Sequence, residues 1–326
     1  MSKPDHPITA ALRDLADQAA PPRIPVDAAW RSGRRRRRAA IIIPAVAMAA
    51  ALAAGLLTGL PGPGSRYSPA AYVLERAARA AVQSGQLVPH PGQYIAVTSV
   101  GLSMTENGGK NNWLTVERRR IWWPVDDRKP GVEWYDAVRN ERLAWSAPAP
   151  TTGLGVSWLP VPPQGCPDAP PARFTYKFLT TLPTSPATLR AWIYVHKNGG
   201  QSADDQAWTD INDLLESTLT PPRLTAALFK VAATIPGATV VPYATDAAGR
   251  PGIAVSRFIQ GSTKDSELIF GARTYRLLGG RTRLTVPEKG VGPAGTVIGA
   301  WALLNKTVVS HLPRHPHGQT GTASHC

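Results

Sequence analysis

Five consecutive arginines at positions 34–38 directly precede 22 residues without a charge, 39–60. A helix of that length is roughly 33 Å long, close to the hydrocarbon thickness of a bilayer. Basic flanks stay on the cytoplasmic side of a membrane. The pattern therefore predicts a cytoplasmic tail over 1–38, a transmembrane helix over 39–60 and an extracellular remainder. The residues that determine this topology are Arg34, Arg35, Arg36, Arg37 and Arg38.

Three other interpretations of this segment compete with a single-pass anchor in the cell membrane. A cleaved secretory signal has an apolar core of about 7–15 residues, which is shorter than the 22 here. An arginine pair before an Ala-rich core is also typical of a twin-arginine signal. A buried helix of a soluble protein rarely runs this long without a charge. We expect the uncleaved anchor.

The charge is unevenly placed. The chain carries +14, and the first 38 residues hold nine Lys or Arg and four Asp, which leaves +9 for the remainder. A basic exterior favours adsorption to anionic lipid or cell-wall polymers, although an arginine-rich proteome gives the same balance. Nucleic acid is not expected as a partner, because the excess lies outside the cell and forms no single stripe.

Breaker residues divide the chain into segments. A Pro/Gly cluster at 61–65 marks the membrane exit, so that 61–68 is a linker, 69–312 one extracellular domain and 313–326 a flexible tail. Helical periodicity follows Ser68-Pro69 as far as Gly85, and the period then changes to two. Strands are predicted at 93–104 and 113–125, with a third and fourth within 134–145. The Pro- and Gly-rich stretch 146–172 predicts a long irregular loop.

The second half begins with helices and ends with strands. Helices are predicted at 187–196, 204–217 and 222–235. Strands follow at 238–244, 252–260, 266–270, 274–278, 281–286 and 296–309, with Gly279-Gly280 separating two of them. Strands, then helices, then strands without alternation indicate an α+β fold, a curved antiparallel sheet with helices packed on one face.

Motifs for chemistry are weak. No nucleophile elbow, phosphate-binding Gly-rich loop or His-Glu-x-x-His is present, so we assign no catalytic residue, metal or cofactor. Histidines near the C-terminus, with Cys326, form a ligand-rich tail without supporting structure. The acid pairs Asp126-Asp127 and Asp204-Asp205 suit a turn and a helix start better than an acid/base dyad.

One strand carries a weak candidate for ligand binding. Alternation places Arg118, Arg120 and Trp122 on one face of it, and the residues between them on the other. Such a face can stack a ligand or an acidic partner. A cross-strand arginine ladder beside core tryptophan has the same pattern.

Two further features bear on association. Cys166 and Cys326 lie in a compartment that permits a disulfide, but a free terminal thiol fits the sequence as well. Small residues recur every four positions in the apolar segment, at Ala47, Ala51, Gly55 and Gly59. This stripe predicts weak homo-association, although an Ala-rich helix shows such stripes by chance.

Four segments carry a family resemblance: LPTSPATL at 182–189, DAAGRPGIAV at 246–255, ELIF at 267–270 and TYRLLG at 274–279. With the anchor, they resemble an actinobacterial family of single-pass membrane proteins often encoded beside extracytoplasmic-function sigma factors. The resemblance implies an exterior domain similar to the half-barrels of lipoprotein carriers and anti-sigma co-regulators. It implies a concave face for a lipid or peptide, and no catalytic residue. The tail over 1–38 lacks the His-x-x-x-Cys-x-x-Cys motif of many anti-sigma domains.

The expected function is therefore a membrane-anchored, non-enzymatic sensor or regulatory accessory. Its outer domain is expected to bind a lipid, polymer or peptide, and its inner tail a cytoplasmic or membrane protein. A membrane-anchored envelope enzyme, such as a hydrolase, is the alternative, because triad residues are scattered in sequence.

Overall fold

The computed structural model describes residues 68–85, 87–106, 112–166, 175–196, 202–216 and 219–314. The expected anchor at 39–60, its arginines and its small-residue stripe lie outside these ranges. None of the described helices is long and apolar enough to cross a membrane.

The described chain is α+β, with one antiparallel sheet of nine strands in the order β4-β3-β2-β1-β9-β8-β7-β6-β5. The strands are β1 (Tyr94–Thr105), β2 (Trp113–Pro124), β3 (Gly131–Arg142), β4 (Gly155–Val161), β5 (Ala238–Thr245), β6 (Pro251–Phe258), β7 (Lys264–Phe270), β8 (Leu277–Leu284) and β9 (Val297–Val309). The long β1–β9 pairing joins the two ends of the domain at the centre of the sheet.

The helices are α1 (Pro69–Gln83), α2 (Tyr176–Thr181), α3 (Pro186–Val195), α4 (Ala203–Glu216) and α5 (Pro222–Ala232). Ser68 caps α1, accepting a hydrogen bond from the Ala71 amide, and Pro69 occupies the first turn, where proline costs no hydrogen bond. The helices expected at 187–196 and 204–217 are present within one residue at each end.

The helices cover one face of the sheet. The main apolar core joins α1, α3, α4 and α5 to inward residues of β6 and β7, among them Val255, Leu268 and Phe270. Phe229 of α5 meets the Phe270 ring edge-on at 5.4 Å between centroids. A second cluster packs Ile95 and Trp123 against Tyr176 of α2 on the same face.

Two strand predictions were wrong. Residues 146–172, expected to form only a loop, contain β4, which pairs with β3 as an edge strand. Its Pro160 lacks an amide hydrogen, which an edge position tolerates. Only one strand, β3, forms where a third and fourth were expected before Trp145.

Gly279 and Gly280 were expected to separate two strands, but β8 runs through both. A Cβ at Gly279 would collide with the Trp301 carbonyl oxygen, and one at Gly280 would lie 2.8 Å from the Trp301 indole nitrogen. The glycines therefore permit close approach of β9. Helix α2 was not predicted, and the strand expected from residue 274 begins only at Leu277, after a turn at 272–274.

Candidate functional site: a cleft beside helix α4

Helix α4 is held firmly at its first turns. The Asp205 carboxylate accepts hydrogen bonds from the Ser202 hydroxyl at 2.6 Å and from the Arg257 guanidinium of β6. Both side chains of the Asp205–Arg257 pair are at most 5% exposed. Trp208 donates its indole N–H to the Ser266 hydroxyl at 3.1 Å. We call this region, around Asp205 and Trp208, the packed end of α4.

The last turns of α4 border an open cleft over the centre of the sheet. Its volume is about 470 Å³. One wall consists of polar residues of α4: Thr209, Asn212, Asp213 and Glu216. The opposite wall consists of sheet residues: Ser103, Glu117, Arg119 and Trp301. We call this region the cleft end of α4.

The cleft exists because its floor has few side chains. Gly299 pairs with Ser103 of β1 and Thr282 of β8, on the face that α4 covers. A Cβ at Gly299 would meet nothing closer than 3.7 Å. Gly101, opposite Glu117, is tighter, since a Cβ there would lie 3.0 Å from the Glu117 carboxylate. Because Gly101 and Gly299 have no side chains, the space that a larger residue would fill stays open.

The sheet wall of the cleft is an ordered polar network. Glu117 accepts hydrogen bonds from the Ser103 hydroxyl at 3.1 Å and the Tyr135 hydroxyl at 3.0 Å. Arg119 donates its Nε–H to Glu133 at 2.7 Å. Burial, and then the Glu117 carboxylate, raise the pKa of Tyr135 to about 12. The Tyr135 phenol thus stays protonated, and its hydroxyl donates the hydrogen bond that holds the Glu117 carboxylate in place.

The α4 wall carries a carboxyl group, that of Glu216, whose pKa is strongly raised. Burial raises the pKa of Glu216 to about 7, since the attraction of Arg119 offsets it only in part and Asp213 and Glu117 add repulsion. Nearby Lys306 donates to the Leu215 carbonyl oxygen at 3.4 Å. Burial also lowers the pKa of Lys306 to about 8, against the attraction of Glu216. A carboxyl group whose pKa is shifted this far in a cleft, such as that of Glu216, is a candidate for a functional site.

The residues singled out from sequence lie on the other face of β2. Arg118 pairs with Asp136 of β3, and its Nε lies 2.9 Å from the Asp136 carboxylate. The Arg118 guanidinium also lies 5.6 Å from the centre of the Trp134 ring. Arg120 lies over the Trp122 ring at 4.9 Å. Trp122 in turn stacks on Trp158, 6.1 Å away. The contacts are those of an arginine–tryptophan ladder, and a ligand-binding role for Arg118, Arg120 and Trp122 stays a prediction.

The other sequence candidates are dispersed. Asp127 pairs with Lys177 at 2.9 Å in the turn after β2, whereas Asp204 accepts from the Tyr194 hydroxyl at 2.5 Å. Among the described residues, no group of three or more His, Cys, Asp and Glu side chains is placed to hold a metal ion. Cys166 is disulfide-bonded. The histidine-rich tail beyond residue 314 lies outside the described ranges.

Sequence reasoning missed the cleft residues. The alternation of a strand places Glu117 and Arg119 on one face of β2, so the sequence could have indicated this part of the site. Glu216 and Lys306 are 90 positions apart, and only the placement of α4 over β9 brings them together. No spacing in the sequence indicates that contact.

Comparison with known proteins gives little. No family model and no curated protein matches the chain. Among solved structures, it is similar to a chain of the Pseudomonas aeruginosa MucA/MucB complex, at 12% identity and a TM-score of 0.25. The match covers 76% of this chain and 59% of that chain. A likeness this slight carries no argument about function.

Proposed function

We propose that this chain is a membrane-anchored, non-enzymatic regulatory accessory whose extracellular domain binds a short peptide in the cleft beside α4. The observation that carries the proposal is the cleft itself. Its volume of about 470 Å³ falls within the range of about 300–1,000 Å³ found for small-ligand sites. The anchor is supported by the arginine run before the uncharged residues 39–60.

The lining favours a peptide over an acyl chain. Carboxylates, a guanidinium and an amide side chain converge on the cleft, from Glu117, Glu216, Arg119 and Asn212. An acyl chain would remove these groups from water without offering a hydrogen bond, which is unfavourable. A peptide offers amide donors and acceptors along its length and an apolar side chain for the Trp301 wall.

Binding would act on the last turns of α4, whose polar side chains line the cleft. The helix is tied to β6 through Asp205 and Arg257 at one end, while Asn212, Asp213 and Glu216 face the cleft at the other. A ligand that contacts both α4 and the sheet stabilises one position of that end over others. A protein partner in or across the membrane would then respond to this change in the position of α4.

Filling the cleft floor tests the proposal. The full chain in detergent micelles is mixed with a pool of synthetic tripeptides, and its thermal unfolding midpoint is measured. Peptides that bind the native state raise the midpoint. We expect a rise for the wild type and for Gly299→Ala, which leaves the cleft largely open, but not for Gly299→Leu. No rise with any peptide pool, or an equal rise in Gly299→Leu, would contradict the proposal.

A further inference from the structure

Exposed cations gather on one part of the helix layer. They are Arg76 and Arg79 of α1, Lys230 of α5, and Arg273 and Arg276 of the β7–β8 turn. Lys230, Arg79 and both turn arginines are exposed, and Arg76 is partly so. Within α1, α5 and the turn at 271–276, the only acidic residue is Glu75. We call these five cations the basic face.

The fold brings the members of the basic face together. Helices α1 and α5 pack extensively against each other. Arg76 lies 5.2 Å from the centre of the Tyr275 ring, which places α1 beside the turn. Phe229, next to Lys230, contacts Phe270, which immediately precedes the turn. The two helices and the turn that carry the basic face therefore pack against one another.

Charge is segregated within the helix layer. Helix α4 contains five acidic residues and no basic one, and three of the five, Asp204, Asp213 and Glu216, are not buried. The basic face has the opposite composition, although both sets lie on the same side of the sheet. A mixed, solvated surface would not show this division. Clustered cations of one sign attract an anionic surface over about a Debye length, roughly 8 Å at physiological salt.

The position of α1 in the chain indicates which anionic surface is within reach. Helix α1 begins at Pro69, only eight residues after the apolar segment ends at residue 60. Eight extended residues span at most about 29 Å. We infer that the basic face rests on the anionic lipid headgroups of the membrane that holds the anchor. This rests on the anchor of the proposed function but not on its ligand cleft.

Amine footprinting of the full chain tests the inference. The protein is reconstituted into nanodiscs of phosphatidylcholine, alone or mixed with phosphatidylglycerol, and acetylated with a water-soluble reagent. Mass spectrometry then gives the acetylation rates of Lys230 and of Lys129, an exposed lysine in the β2–β3 turn that serves as the internal control. We expect phosphatidylglycerol to slow Lys230 at least about threefold and to leave Lys129 unchanged, since basic residues near an anionic leaflet are held there electrostatically. Salt near 1 M should restore the Lys230 rate.

Charge reversal separates this contact from adventitious protection. Arg273→Glu with Arg276→Glu should restore the Lys230 rate in anionic discs. Arg128→Glu with Lys289→Glu makes the same change in net charge at exposed positions elsewhere and should not. Equal rates for Lys230 in both kinds of disc would overturn the inference. Protection by a soluble anionic polymer in phosphatidylcholine discs, without protection by phosphatidylglycerol, would replace the lipid with a wall polymer and also overturn it.

Discussion

The two ends of α4 bury charge in different ways. At the packed end, Asp205 is fully buried and meets a guanidinium and a hydroxyl, and the pKa of its carboxyl is lowered by these hydrogen bonds despite burial. At the cleft end, Glu216 is partly buried, and the nearby Arg119 is already paired with Glu133. The pKa of Glu216 therefore rises to about 7. A buried charge is stable only where its partners are complete. The packed end thus fixes the helix, and the cleft end retains a group that responds to its surroundings.

The largest effect should come from breaking the packed end. Arg257→Met leaves Asp205 buried without its guanidinium and should lower the free energy of unfolding by about 3–5 kcal/mol. Urea denaturation of the full chain in micelles measures the change.

The matched control is Arg139→Met. Arg139 pairs with Glu141, but both side chains are more than 40% exposed, so the cost should stay below about 1 kcal/mol. Asp205→Leu combined with Arg257→Met should recover much of the loss, because no lone charge is left. An equal cost for Arg257→Met and Arg139→Met would remove the distinction between the two ends.

Glycines sharpen the comparison at the level of the sheet. Gly279→Ala places a methyl group against the Trp301 carbonyl and should cost about 1–3 kcal/mol through overpacking. Gly299→Ala, on the cleft floor, has room and should change stability by less than about 0.5 kcal/mol. The same denaturation measurement compares them. Similar costs at both positions would mean that the cleft floor is as tightly packed as β8.

The cleft end should make stability depend on pH near neutrality. Because the folded pKa of Glu216 is raised to about 7 from about 4.5, the folded state binds the proton more tightly than the unfolded state. The stabilisation is complete below pH 4.5 and is lost as pH rises through 7. We expect a loss of about 1–2 kcal/mol, reduced from the full shift because the carboxyl group is only partly buried.

Glu216→Gln isolates this contribution. Unfolding free energies measured between pH 5 and 7.5 should fall in the wild type and stay flatter in the variant. Lys306, whose pKa is lowered to about 8, begins to titrate only at the upper end of this window, and its titration raises stability with pH, opposite in sign to that of Glu216. A variant with the same slope as the wild type would assign the pH dependence to another group.

Local signals predicted most elements of the fold. Ser68-Pro69 and the helical repeat predicted α1, and period-two alternation predicted β1 and β2 nearly to the residue. The sequence could not distinguish a glycine that breaks a strand from one that admits a neighbour, which is why β8 was divided. Edge strand β4 was missed, because its pairing with β3 is set by tertiary contacts such as Trp134 opposite Trp158. The cleft depends on similar long-range contacts, between α4 and β9.

The smallest effect is expected on the face of β2 that α4 does not cover. Arg118 is 43% exposed, so its pair with Asp136 and its contact with Trp134 should together contribute about 1 kcal/mol or less. Arg118→Gln should therefore leave the unfolding midpoint nearly unchanged.

The same variant separates the two faces functionally. If peptides bind beside α4, Arg118→Gln should keep the wild-type rise in midpoint with the tripeptide pool. Glu216→Gln should reduce it, because Glu216 lines the cleft and Arg118 does not. The reverse result would move the ligand to Arg118, Arg120 and Trp122. It would also leave the raised pKa of Glu216 as a consequence of how α4 packs, since burial alone shifts a carboxyl group in this direction.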